Sequence, residues 1–203
     1  MIAISTLLER LRRTLKDEDK NSFTDEELID YIENGVGFLR REIINRNPEY
    51  LAVPVSHGTI DAYINEVELP GDVNYVLDVR VNGKKIKREN ITSVGDTTEK
   101  GEIEKYVLLN GNRLLFFPIP QKAAKYSVIG IYDSPRLSIE AVTPFNADFD
   151  DLIFEYVVIR AGMGDHFQMN QEMEVMSVIV EQVTKLVNQY NQCEEAIVKG
   201  YYS

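Results

Sequence analysis

Few side chains in this sequence have the types and spacing that chemistry requires. Histidine occurs twice, at His57 and His166, and cysteine once, at Cys193. Asp165 and His166, with Glu155 about three helical turns earlier, form the best set of titratable groups for acid-base work or metal binding. They coincide with a helix end marked by Gly162 and Gly164, where Asp and His commonly cap or solvate, and capping is the preferred reading. Asp148, Asp150 and Asp151 offer oxygen ligands to a divalent cation, but their spacing is not that of a calcium loop and no closing glutamate follows. They suit the positive end of a helix dipole better. His57 precedes Gly58 and reads as a polar turn residue, and Cys193 as a small spacer on the last helix. The sequence has no Walker-type phosphate loop, no dinucleotide glycine pattern and no cysteine and histidine set for zinc. The expectation is therefore no catalytic residue, no metal site, no cofactor and no enzyme.

Binding features are more plentiful. The run Lys84, Lys85, Lys87 and Arg88 follows the turn Asn82-Gly83. It suits a phosphate or an acidic partner, or an exposed strand edge that uses lysine against aggregation, and the edge reading is preferred. Ser93 to Glu102 is polar and rich in turn formers, which predicts a reaching loop with Asp96, Thr97, Thr98, Glu99 and Lys100 as candidate partner contacts. The end of the chain, Lys199, Gly200, Tyr201, Tyr202 and Ser203, reads as a short tail whose two tyrosines either anchor a partner or merely end the chain.

The elements that must position these groups change period twice. Ile4, Leu7, Leu8, Leu11 and Leu15 share one helix face. Thr24 and Glu27 form a capping box, with Phe23 placed to staple against Leu28, and open a second helix that runs to about Asn45 before Pro48. From Leu51 the pattern becomes strands separated by Gly and Pro: Leu51 to Val55, Ala62 to Leu69, Val76 to Asn82, Tyr106 to Leu109, Arg113 to Pro118 and Tyr126 to Tyr132. The turns Asn82-Gly83 and Asn110-Gly111-Asn112 supply the positive backbone angles of hairpins. LIFEYVVIRA, from Leu152 to Ala161, is a helix without a polar face, expected to be buried or shared between subunits. Met173 to about Ala196 carries a last long helical pattern. The fold class is accordingly α+β, an antiparallel helical bundle of N-terminal helices and two C-terminal helices with an inserted antiparallel β module, a sandwich or small barrel. Its parts are residues 1–50, 51–135 and 136–203, the last including the tail 199–203.

With 203 residues, 44% of them hydrophobic, the chain can bury a core. Its net charge of −11 disfavours a free-standing nucleic-acid binder, since such affinity comes from Lys and Arg on phosphates. A single cysteine fits a reducing compartment. The N-terminal pattern is interrupted by charge, so neither a signal peptide nor a membrane span is expected.

FTDEELIDYIENGV, VELPGDVNYVLDVRVNG, LLFFPIPQKAAKYSVIGIYDSP and DDLIFEYVVIRAGMGDHF, taken in order, resemble the head-to-tail connector (adaptor) proteins of tailed bacteriophages, especially short-tailed ones. Leu69-Pro70, Asp72, Pro118, Pro120, Tyr132, Pro135 and Arg160-Ala161 carry the likeness. Each motif is loose, and order and spacing make the case. The resemblance implies a virion neck protein, assembled in the host cytoplasm, forming a dodecameric homo-oligomeric ring between the portal protein and the tail or nozzle proteins. DNA would pass its channel without specific binding, and residues 199–203 would dock on the portal. A reading from another class is a non-catalytic β-sandwich binding module with helical dimerisation, for which Tyr63, Tyr106 and Tyr126 could form an aromatic platform.

Overall fold

A computed structural model describes residues 1–94, 98–134, 136–162 and 169–201. Its fold is α+β, and its sheets do not close into a barrel. Two compact units divide the chain: Met1–Tyr50 with Ser134–Ser203, and Leu51–Asp133.

In the first unit, helix α1 (Ile4–Leu15) buries Ile4, Leu7, Leu8 and Leu11 and ends at Lys16 in the left-handed region. Helix α2 (Asp25–Arg46) begins as its capping box dictates, with the Glu27 N–H donating to Thr24 Oγ1 and the Thr24 N–H donating to the Glu27 carboxylate. The Phe23 ring meets Tyr31 edge-on. Leu28, Ile32, Val36, Leu39 and Ile43 are the buried stripe of α2, which gives way at Pro48 to a 3-10 turn over Pro48–Leu51. Helix α3 (Ala147–Gly162) packs on α1 and α2 and buries Phe149, Leu152, Ile153, Tyr156 and Val157. Its remaining apolar residues, Phe154, Val158 and Ile159, are half-buried, and the Arg10 guanidinium stacks 4.7 Å above Phe154. Most of the cover this helix needs therefore comes from its own chain. Of the two expectations, burial or sharing between subunits, burial is the one the described residues meet.

Helix α4 (Met169–Tyr201) is continuous for 33 residues. It runs past the stop expected near Ala196, because no proline interrupts it and the lone Gly200 does not break a helix. Ile179, Val183 and Val187 are its buried contacts among the described residues. Arg46 Nε donates to Thr184 Oγ1 at 2.6 Å, and Tyr190 meets Tyr50 edge-on.

A buried ionic network fixes the α1–α2 connection. Arg12, 6% exposed, donates to Asp17 Oδ2 at 2.8 Å, to Asp25 Oδ1 at 2.6 Å and to the Phe23 carbonyl at 3.1 Å. Asp17 in turn accepts from the backbone N–H groups of Ser22 and Phe23. Its carboxyl is held below the ordinary aspartate range first by the Ser22 N–H, and Asp25 likewise by hydrogen bonds from Lys20 and Arg12.

The second unit contains two four-stranded sheets. Strands β1 (Val53–Ile60), β10 (Ala124–Tyr132), β3 (Val73–Val81) and β4 (Lys84–Lys85) form the first in that spatial order. Strands β2 (Glu66–Glu68), β8 (Arg113–Phe117), β7 (Lys105–Leu109) and β5 (Lys87–Arg88) form the second. Their inner faces share one core containing Val55, Val79 and Val128 from the first and Tyr106, Leu114 and Phe116 from the second. Pairing is antiparallel except at β5–β7 and at β6 (Lys100–Gly101) with β9 (Ile119–Pro120), two short parallel pairs outside the expected pattern. Both Asn-Gly turns form, with Asn82 and Gly83 at φ 50° and 81° and Asn110 and Gly111 at the same values. In β10, a Cβ at Gly130 would lie 2.4 Å from the Tyr75 carbonyl oxygen, so only glycine allows the irregular register there.

One expected turn is a strand. His57 and Gly58 lie in the middle of β1, opposite Ser127 and Tyr126. A Cβ at Gly58 would lie 3.0 Å from the Tyr126 ring, so this glycine accommodates a cross-strand aromatic. The real turn comes later, at 61–65, where Tyr63 sits at φ 66°. Ala62 and Ile64 belong to that turn, and only Glu66–Glu68 of the expected second strand pairs.

Candidate functional site

The described residues hold no group of three or more His, Cys, Asp and Glu side chains placed to bind a metal ion. Asp165 and His166 lie outside them, and Glu155 is exposed on α3. The three aspartates at the start of α3 have separate tasks. Asp150 is buried and accepts from Thr143 Oγ1, Asp151 pairs with Arg10 at 3.1 Å, and Asp148 is exposed. Cys193 belongs to α4. No described helix is long and apolar enough to cross a membrane.

The basic run occupies two sheet edges, Lys84 and Lys85 on β4 and Lys87 and Arg88 on β5. Carboxylates neutralise part of it. Lys85 Nζ lies 3.3 Å from Asp78 Oδ1, and Lys87 Nζ 2.8 Å from Glu89 Oε1. Burial pushes the Asp78 carboxyl up, but hydrogen bonds from Arg80 and Lys85 outweigh it and leave its pKa below the ordinary value. The hydrogen bond from Lys87 lowers that of Glu89. Lysines along an edge strand disfavour the addition of a further strand.

Of the candidate contact loop, Asp96 and Thr97 lie outside the described residues. Glu99 accepts from the Ile119 N–H at 2.8 Å through its carbonyl, and Lys100 opens β6 with its ammonium 5.2 Å above the Tyr63 ring. At the chain end, Lys199, Gly200 and Tyr201 belong to the last turns of α4, so they extend a helix where a loose tail was expected. Tyr202 and Ser203 lie outside the described residues.

The aromatic platform does not form. Tyr106 is 4% exposed in the core between the sheets, Tyr126 packs against that core, and Tyr63 stands out at 64% exposure. The β unit instead carries a cleft of about 630 Å³ between the β3–β4 hairpin, residues 101–103 and the segment Pro120–Ala124 that leads into β10. Asn82 fixes one wall, because its N–H donates to the Lys125 carbonyl at 2.8 Å and its Oδ1 accepts from the Lys125 N–H at 3.0 Å. Lys84, Glu102 and Lys122 are exposed at this cleft, and neither lysine forms an ion pair among the described residues. The cleft offers two cations, one carboxylate and amide groups, a set that can hold a charged ligand. It brings together Lys84 of the basic run with Lys122, which the sequence pattern did not single out.

Tyr63 was also missed in its role. The Tyr63 N–H donates to the carbonyl of Pro120, a cleft residue, at 2.7 Å, and Ile64 beside it is 51% exposed. The flanking Asp61 and Asn65 are turn formers, the one local signal that the alternation of Ala62, Ile64 and Val67 concealed. No known protein family and no curated protein matches the chain.

Proposed function

We propose that this chain is a structural virion protein, a head-to-tail adaptor whose copies form a ring between portal and tail and let DNA pass. The observation that carries this reading beside the motif order is the length of α4. At 1.5 Å per residue its 33 residues span about 50 Å, against about 33 Å for the 22 residues of α2. A helix that outreaches its longest neighbour by roughly a third of its length has surface to offer a second protein, and its last turns carry Lys199, Gly200 and Tyr201. The distribution of charge is consistent with a DNA passage. Residues 51–133 hold ten Lys and Arg against eleven Asp and Glu, whereas the remaining segments hold twelve against twenty-two, so the excess negative charge belongs to the helical unit.

Native mass measurement of the chain alone and with its portal tests the proposal. A ring or a portal complex is expected, and it is expected to be lost on deleting residues 199–203. A chain that remains monomeric or dimeric and never joins a portal, even at high concentration, overturns it. The second reading, a binding module, draws its support from the cleft beside Lys84 and Lys122. It requires a saturable ligand for the chain in its monomeric or dimeric form.

A further inference from the structure

We infer that the cleft of the β unit receives the α1–α2 connection of a second copy, with Lys84 and Lys122 opposite Glu18 and Asp19. This names the contact surface of the ring proposed above and rests on that reading. Three observations converge on it. The cleft carries two lysines that form no ion pair among the described residues, against a single carboxylate, Glu102, in a chain of net charge −11. Clefts of this volume are large enough to seat a short peptide segment. The acidic partner lies in the same sequence, because the helical unit holds nearly all of the excess negative charge.

Within that unit the α1–α2 connection is built to present carboxylates. Asp17 and Asp25 are committed to Arg12, and Asp17 also accepts from the backbone of Ser22 and Phe23. Lys16 and Lys20 both adopt left-handed backbone, and Lys20 Nζ lies 2.6 Å from Asp25 Oδ2. Glu18 and Asp19, held between these fixed points, are exposed. A loop ordered in advance loses less conformational freedom on docking than a loose one. Tyr63, whose N–H donates to the carbonyl of the cleft residue Pro120, is exposed and adds apolar area of the kind that accompanies charge pairing at interfaces.

Self-association of the full chain, followed by native mass and sedimentation at low salt, tests this. All four residues are exposed, and unchanged circular dichroism and melting establish that each variant folds. K84E/K122E is expected to weaken association about tenfold, and E18K/D19K similarly. The quadruple variant E18K/D19K/K84E/K122E, which exchanges the two signs, is expected to recover it. An association strength unchanged in K84E/K122E, or not restored in the quadruple variant, overturns the contact while leaving the ring itself standing. A wild type that is monomeric at every concentration overturns both.

Discussion

Arg12 shows how a single residue can decide whether a connection is a loop or a fixture. Its guanidinium satisfies Asp17, Asp25 and the Phe23 carbonyl together, so Arg12→Met is expected to leave the buried Asp17 carboxylate without its cation and to destabilise the chain by about 3 kcal/mol in urea unfolding. The same network sets an acid limit. Asp17 and Asp25 have pKa values below their ordinary range, so the stability they contribute is present above that range and is lost as pH falls through the folded values, in the region below about pH 4. Asp25→Asn is expected to flatten the decline of the urea midpoint in that window. Thr24→Ala, which removes only the helix cap, is expected to cost about 1 kcal/mol by the same measurement. Gly130→Ala is a different case, since its methyl group would meet backbone at 2.4 Å. It is expected to cost more than about 3 kcal/mol, with the loss seen as a lowered melting midpoint.

Elements were legible where local chemistry and periodicity agree. Thr24 and Glu27 specify the start of α2 almost unaided, and both Asn-Gly turns form where the dipeptides stand. The misread stretch is 57–65, where two local signals pointed the wrong way. Gly58 has the appearance of a turn residue but makes room for the ring of Tyr126, which lies far along the chain on β10, and no local pattern reveals this. Tyr63, an aromatic residue in left-handed backbone, then bends the chain where alternation promised a strand. Expected site residues fared according to the same rule. The basic run could be placed on strand edges from its sequence, whereas Lys122 enters the cleft through pairing of Asn82 with Lys125 across 43 positions. Tyr63→Gly relieves the backbone strain and removes the exposed ring. It is expected to leave or slightly raise the melting midpoint while weakening any association that uses this rim.

At the level of the whole molecule, the two ends of the β unit leave side by side, because Val53 near its start pairs with Gly130 near its finish. Each unit contains its own buried residues. Residues 51–133 expressed alone are therefore expected to fold cooperatively, with the β-sheet circular dichroism of the intact chain minus its helical part and a single melting transition. Loss of all sheet signal in that fragment would show that the module depends on the helical segments.

The same insertion imposes an order on synthesis. Leu28, Ile32, Leu39 and Ile43 leave the ribosome early, but α3 and α4, which pack against α2, follow only after about a hundred further residues. At about 5 to 20 residues per second that delay is about 5 to 20 s, much longer than a helix needs to form. For this interval the newborn α1–α2 pair holds an uncovered apolar stripe while the β module completes itself. Chains stalled once β10 has cleared the ribosome, but before α3 has, should thus carry a finished sheet and an unfinished bundle, and a holdase chaperone should bind them at α2 and release them once α4 is made.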